Sequence, residues 1–559
     1  MTDADQCGAP VATMEVHAKT AVRTVADLSS RLQQAVSASD PNRWTMACAV
    51  FVLIYSLYSW SPLMRAGWSI IDDHEIAATI GTRARLPLSE VPKAVAGTEA
   101  GATASNRYRP VYYSLRIFEM AIWGNNPQLW FAFRIVLGIA SFILLAICSI
   151  RLAGPILGTG FVVFELLQTY WADIYTRLGP AEVFGFFGAC LVAWQAFAKN
   201  GAWSLQRYLL ICAGVVLAVG SKENFIFLGL VPAWLLWTRW TGMPAAARIS
   251  CIAALVFAAW IVLVVVKGVL IAGQDVYAND ASAGGRLRLL TSFMMRREVQ
   301  LWSLACAGVF LFRAWLSRSK SAGEWASRVE PKDLAQKDLA QVAGLLAGLL
   351  VIYASQYVFY SGKWPEKSLG RYMVPGLVAA HLAVLVVLVG LQRAVAKLAP
   401  SWATAASIIG ALLLIGNVAH KWNGNHSRAR ETAVTTSTFT RNVAEAAEFL
   451  RKHPQAIIVV NSHSPVDYEP VQALPRFLRA AGIENRMVLH LAGYHSGLPA
   501  IKAEPLARQL VEQLEKQQAD GAGNIYVPRQ SVDAAADCFS FGLSGPPASQ
   551  CARGNRIWR

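Results

Sequence analysis

Four residues in a row, Asp72, Asp73, His74 and Glu75, stand directly after the first apolar run, in the stretch "WSIIDDHEIA". Carboxylates in such a place have a chemical use. Held near a membrane surface, one of them accepts a proton from an attacking hydroxyl, and partial burial beside a second acid raises its pKa to a useful value. They also have a plain structural use, with Asp72 or Asp73 capping a helix and acid in the first turn favoured by the helix dipole. Taken alone, the tetrad fits both uses equally.

Three more charged clusters sit at the ends of apolar runs. "YTRLGPAEVFG" carries Arg177 and Glu182 shortly after Asp173, "GSKENF" carries Lys222 and Glu223, and "WPEKSLGRYMVP" carries Lys367, Arg371 and Tyr372. Each alone suits a solvated loop tip, because charges at helix ends snorkel to water. Their coincidence carries more weight, since with eleven spans all four clusters fall on one membrane face. Ionisable groups at a membrane are costly and mark substrate sites. An acid as base and cations as phosphate ligands are what a transfer from a lipid phosphate requires.

The elements that must position these groups are membrane helices. The chain has 559 residues, 55% hydrophobic and 15% charged, where a soluble chain carries about 25% charged residues. Runs such as "FAFRIVLGIASFILLAICSI" and "ISCIAALVFAAWIVLVVV" approach the ~20 residues that cross a hydrocarbon core. The pattern predicts eleven spans near 44–63, 128–149, 155–172, 181–198, 207–220, 224–240, 249–272, 298–316, 340–360, 372–392 and 402–419, with "GSKEN" at the tip of a hairpin. The net charge of +16 would suit a nucleic-acid partner, but no basic block with a nucleic-acid fold pattern accompanies it. It suits basic loops facing lipid headgroups.

An odd number of spans places the two termini on opposite sides. Cys48, Cys148, Cys190, Cys212, Cys251 and Cys306 lie in apolar runs and Cys7 in the polar N-terminal tail, leaving Cys538 and Cys551 as a pair in the polar C-terminal region. That pair suits a disulfide in an oxidising compartment, which puts the C-terminus outside and residues 1–43 in the cytoplasm. The first loop, 64–127, ends in "NRYRPVYYSLRIFEMAIWG", an aromatic amphipathic stretch with Pro110 at a helix start that suits the interface plane. Residues 421–559 alternate helical and strand patterns, with strands at "QAIIVVNS", "NRMVLHLAG" and "NIYVP". This predicts a small α/β domain with a parallel sheet. It has no glycine-rich phosphate loop, and its His463, His490 and His495 suit surface or core roles.

"DDHE" after the first span, "NRYRP" before an interfacial helix, "RLGPAE", "SKEN" at a hairpin tip and "GRYMVP" opening a late span, in that order and on a common side, resemble the GT-C-type membrane glycosyltransferases. That class includes protein O-mannosyltransferases and bacterial aminoarabinose transferases. The resemblance covers about residues 44–420 and implies a transmembrane catalytic domain facing the periplasm, with 64–127 as its first periplasmic loop; the α/β domain of 421–559, placed on the periplasmic side by its cysteine pair, departs from the better-known members and matches none of their C-terminal domains.

It also implies a donor sugar on a polyprenyl phosphate and a glycan, lipid or protein acceptor in an inner-membrane setting. Transfer is by inverting displacement without a nucleotide. No cofactor is required, although "DDHE" contains ligand types for a divalent metal. The base falls on Asp73, with Asp72 matching nearly as well. Lys222 and Arg371 would grip the donor phosphate and Tyr372 add a hydrogen bond. Glu182 and Glu223 would orient sugar hydroxyls or the cations, while Arg107, Arg109, His74 and Glu75 are further substrate contacts.

The alternative is a transporter or flippase of a lipid-linked saccharide. It would use mid-span groups, for which His381, and Lys267 near the end of the seventh span, are the candidates, whereas the charges noted above cluster at span ends and no internal repeat is found.

Overall fold

The computed structural model describes residues 41–103, 105, 108–198, 203–270, 283–296, 299–300, 303, 307, 344–357, 370–398, 400–462, 468–485, 487–491, 525–526, 538–542 and 549–550. The N-terminal segment 1–43 lies almost wholly outside these residues. So do Arg107, Lys367, Cys306 and Cys551, most of the expected 298–316 span, and the helix expected near 505–518.

Apolar and amphipathic stretches wind into helices, most of them without an interior proline; Pro475 is the interior proline of the last one. The first is α1 (Pro41–Trp60), followed in the first loop by α2 (His74–Ile80), α3 (Val91–Ala96) and α4 (Pro110–Ile122). Next come α5 (Pro127–Ala153), α6 (Pro155–Leu166), the short α7 (Tyr170–Tyr175), α8 (Glu182–Ala196) and α9 (Leu205–Ser221). Then follow α10 (Leu230–Arg239), α11 (Ala245–Leu270), α12 (Ala283–Met294), α13 (Gly344–Tyr357), α14 (Val374–Leu398) and α15 (Pro400–Val418). The chain closes with α16 (Gly424–Lys452) and α17 (Tyr468–Ala480).

Among the described residues, five helices are long and apolar enough to cross a membrane: Asn42–Arg65, Pro127–Ala153, Ala245–Gly268, Val374–Arg393 and Trp402–Lys452. Four shorter apolar helices, α6, α8, α9 and α13, fall at other expected spans.

Two expected spans are broken, each for a visible reason. The 155–172 stretch stops at Leu166, where the Glu165 carbonyl accepts from the Trp171 indole N–H at 2.8 Å and the chain restarts as α7. The 224–240 stretch begins as a 3₁₀ helix, Glu223–Gly229, with the Phe225 N–H on the Lys222 carbonyl at 3.1 Å. Only Leu230–Arg239 is α-helical there. Elsewhere helices meet closely: a Cβ on Gly188 would stand 2.5 Å from the Gly214 carbonyl and one on Gly214 would stand 2.7 Å from the Gly188 carbonyl. Small residues thus let the α8 and α9 backbones touch.

The largest core gathers Trp60, Trp130, Phe142, Phe161, Trp171 and Tyr175 from α1, α5, α6 and α7. A second core packs α9 against α11. Beyond the spanning helices, strands β1 (Ile457–Ser462), β2 (Met487–Leu491), β3 (Ile525–Tyr526), β4 (Cys538–Gly542) and β5 (Ser549–Gln550) form one sheet in the order β3-β2-β1-β4-β5. β1 to β4 are parallel and β5 runs antiparallel to β4. Ile458, Val460 and Met487 bury one side of it against α16 and α17.

Candidate active site

The acidic tetrad forms a turn whose two aspartates part company. Asp73 stands at the N-cap position of α2 without bonding the helix; its Oδ2 accepts instead from the Ser69 N–H at 2.8 Å. Its side chain is 0% exposed, and Oδ1 lies 4.0 Å from Arg116 Nη2 with no hydrogen bond. Burial pushes the Asp73 carboxyl up to about 7, with Arg116 and the Ser69 bond opposing the rise.

Asp72 has φ 71°, the one positive φ outside glycine among the described residues. That left-handed conformation is one a short polar side chain tolerates. It turns the Asp72 carboxylate the other way, leaving it 27% exposed, with Oδ2 at 2.8 Å from Arg177 Nη2 and 3.9 Å from Arg371 Nη1. Burial raises the Asp72 carboxyl, but Arg177 and Arg371 outweigh it and hold it below the usual carboxylate range.

The loop facing Asp72 is held by three side chains on three successive carbonyls. Arg116 donates to Leu178 O, Tyr112 to Gly179 O at 2.8 Å and Arg134 to Pro180 O at 3.2 Å. Arg116 also donates to the Asp72 carbonyl at 2.8 Å, joining both walls of the site. Arg134 in turn lies 3.4 Å from Glu119. The α4 stretch, expected to lie in the interface plane, starts at Pro110 and turns this polar face inward, with Phe118 and Ile122 on the outside.

Behind Arg371 lies a layer of buried ion pairs. Lys222 Nζ is 2.9 Å from Glu182 Oε1 and 5.1 Å from the Tyr372 ring centre. Arg109 grips Glu223 through two bonds of 2.8 Å, and that pairing overcomes the burial of Glu223 to hold its carboxyl down to about 2. The Arg371 guanidinium lies 4.6 Å from the Tyr372 ring centre and donates to its hydroxyl. Asn224 donates to the Tyr372 carbonyl at 2.7 Å and Gln356 to the Asn224 carbonyl at 3.2 Å, which ties the start of α14 to the hairpin tip.

Asp72, Glu182, Lys222, Glu223, Arg109, Arg371 and Tyr372 are therefore drawn into one neighbourhood. His74 and Glu75 join it only through charge, His74 acting on Asp72 and Glu75 on Arg116. Burial and the nearby Arg476 guanidinium lower the His74 imidazole pKa, its Nδ1 is buried without a partner, and Glu75 is exposed on α2. Arg107 lies outside the described residues. Sequence reasoning noted Arg177 only as a near-membrane charge in "RLGPAE"; it is the nearest cation to Asp72. Arg116, Arg134, Tyr112, Asn224 and Gln356 carried no signal beyond being polar. Among the described residues no three His, Cys, Asp or Glu side chains gather as metal ligands.

No protein-family model matches the sequence, and no curated protein matches it. Among solved structures, the chain is similar to that of ArnT from Cupriavidus metallidurans bound to undecaprenyl phosphate. The two share 13% identity and a TM-score of 0.36, over 88% of this chain and 92% of that one. A likeness of that degree assigns neither fold nor activity.

Proposed function

We propose that this chain is a multi-pass membrane glycosyltransferase that moves a sugar from a polyprenyl phosphate to a glycan, lipid or protein acceptor on the periplasmic side of the inner membrane. The observation that carries the reading is the Asp72 carboxylate, 27% exposed and set between Arg177 and Arg371, beside the buried ion pairs Lys222–Glu182 and Arg109–Glu223. In this reading the chain keeps its eleven spans, a cytoplasmic N-terminus and a periplasmic C-terminal domain.

Arg371 and Arg177 bind the donor phosphate, with the Tyr372 hydroxyl beside them. A lone pair of the acceptor oxygen attacks the anomeric carbon from the face opposite the phosphate. The anomeric C–O bond breaks with its electron pair passing to the phosphate, and the hydroxyl proton passes to the carboxylate. The configuration inverts, and the step requires no nucleotide. Asp72 is the base in preference to Asp73, because a wholly buried carboxylate does not meet an acceptor. Lys222 and Arg109, neutralised by Glu182 and Glu223, act as supports that hold Tyr372 and Arg371 in place.

One observation favours the transporter reading. At the C-terminal end of α6, buried Glu165 receives the Tyr170 hydroxyl at 2.6 Å and pairs with His381 Nδ1 at 2.6 Å. The experiment that separates the readings supplies purified protein with a panel of polyprenyl-phosphate sugars and a panel of glycan, lipid and protein acceptors, and measures free polyprenyl phosphate. Glycosyl transfer releases it, and Asp72→Asn lowers the rate by about 10²- to 10⁴-fold, the usual worth of a general base. Translocation without bond cleavage, or undiminished release by Asp72→Asn, sinks the proposal.

A further inference from the structure

The end of the helix bundle away from the acidic turn is basic. α5 starts beside that turn, where Gln128 donates to the Ala66 carbonyl at 3.2 Å, and carries Arg151 about 35 Å further along its axis. α9 runs towards the turn and ends at Ser221 beside Lys222, so Arg207 in its first turn lies about 20 Å from the ion-pair layer. α10 ends at Arg239, and α11 opens at Ala245 with Arg248 in its first turn. Four arginines therefore share one end of the bundle.

Two of them meet on a single ring. The Arg207 guanidinium lies 3.8 Å from the Trp203 ring centre and that of Arg239 lies 4.1 Å from it. The two charges are thus at most about 8 Å apart, no further than the ~8 Å over which physiological salt screens them. Arg207 is buried and fixed. It donates to the Gln195 carbonyl at 2.7 Å and to those of Ala196 and Ala198 at 3.3 and 3.4 Å, which closes the C-terminal end of α8. Arg239 and Arg151 are exposed, and both repel the Arg207 charge. Arg248 donates to the Met243 carbonyl at 3.0 Å and lies 5.2 Å from the Trp240 ring centre. Carbonyls and rings do not neutralise a charge, and none of the four pairs with a carboxylate among the described residues. The sequence gives the reason: it has no Asp or Glu between residues 120 and 164, 183 and 222, or 224 and 274.

Cations crowded without a counter-charge call for an anion, and a guanidinium takes phosphate through two parallel hydrogen bonds. The surroundings set the source of that phosphate. Trp234, Trp237 and Trp240, at the end of α10, are 50%, 85% and 48% exposed, and exposed Trp side chains settle at the headgroup level of a bilayer. Basic pockets between membrane helices take anionic headgroups. We propose that Arg207, Arg239 and Arg151, at the end of the bundle opposite the acidic turn, form a site for the phosphate of an anionic phospholipid headgroup. The site requires that the chain lie in a membrane and does not depend on the glycosyl-transfer reading.

The test titrates purified full-length protein in detergent with phosphatidylglycerol, phosphatidylcholine, glycerol 3-phosphate and undecaprenyl phosphate, and reads binding by native mass spectrometry. Phosphatidylglycerol is expected to bind more tightly than phosphatidylcholine. Arg239→Gln should weaken phosphatidylglycerol about fivefold, the worth of one arginine near an anionic lipid surface, and leave phosphatidylcholine unchanged. Arg239→Glu sets a carboxylate against Arg207; it should abolish the preference and raise apparent Tm in the absence of lipid, which shows that the variant folds. The site is overturned if the wild type does not prefer phosphatidylglycerol, or if the preference is undiminished in both Arg239 variants. Glycerol 3-phosphate displacing phosphatidylglycerol at equal concentration would mark a soluble-phosphate site instead and also overturn it. So would a dependence on Arg239 confined to undecaprenyl phosphate.

Discussion

A Cβ placed on Gly179 would stand 2.4 Å from both Cβ and Cγ of Asp72, so the backbone of the α7–α8 connection is the surface on which the acid rests. Gly179→Ala is expected to displace the carboxylate while the carbonyl bonds from Arg116, Tyr112 and Arg134 keep the loop in place. Misplacing a reacting group by about 1 Å costs about 100-fold in rate. Steady-state kinetics should show kcat falling on that scale with apparent Tm little changed; unaltered kcat would show that the contact does not position the acid.

Asp73 makes stability depend on pH. Its folded-state carboxyl titrates at about 7, above an unfolded value of about 3.9, so between these the folded protein holds a proton that the unfolded chain has lost. Stability therefore falls as pH rises through that window and levels off above it, by on the order of 4 kcal/mol in all. Asp73→Asn should flatten this part of the profile and raise apparent Tm at pH 8 relative to wild type. Parallel Tm-against-pH curves for the two proteins would exclude the effect.

Arg371 is expected to act mainly in donor binding. Arg371→Ala removes a charge-assisted contact to phosphate worth about 1.5–3 kcal/mol, which corresponds to a roughly 10- to 150-fold weaker donor Kd. Binding of undecaprenyl phosphate measured by calorimetry or fluorescence checks it, and an unchanged Kd would remove Arg371 from the phosphate site.

The Arg109–Glu223 pair is expected to hold structure. Arg109→Ala strands a buried carboxylate and should lower stability by about 3–5 kcal/mol, while replacing both partners by apolar residues of similar volume recovers most of the loss. Apparent stability of the single and double variants decides it. A harmless Arg109→Ala would mean that the pair carries no such burden.

Much of the site was visible in the sequence because ionisable residues at the ends of apolar runs stand out against their surroundings. What the sequence does not encode locally is pairing. Nothing in "SKEN" or "RLGPAE" says that Lys222 goes to Glu182 and Glu223 to Arg109, leaving Arg177 to face Asp72. Those choices are made by helix packing across separations of 40 to 114 residues. The same holds for Arg116 and Arg134, whose three carbonyl bonds have no signature beyond buried charge.

In the C-terminal region "IIVV" gave β1 away by its continuous apolar run. The short β4 and β5 have no such run. The start of α16 was hidden because "TTSTFT" is a poor helix former; it is helical here with Thr436 and Thr440 binding the first-loop backbone, so tertiary contact overrides local preference.

The positive φ of Asp72 acts as a filter on which acid can occupy the position. Aspartate and asparagine tolerate the left-handed region through their short polar side chains, whereas a longer acid such as glutamate does not share that tolerance. Asp72→Asn therefore alters charge on an unaltered backbone, while Asp72→Glu keeps the charge and perturbs the shape. The two exchanges, which look interchangeable on paper, ask separate questions of the same atom.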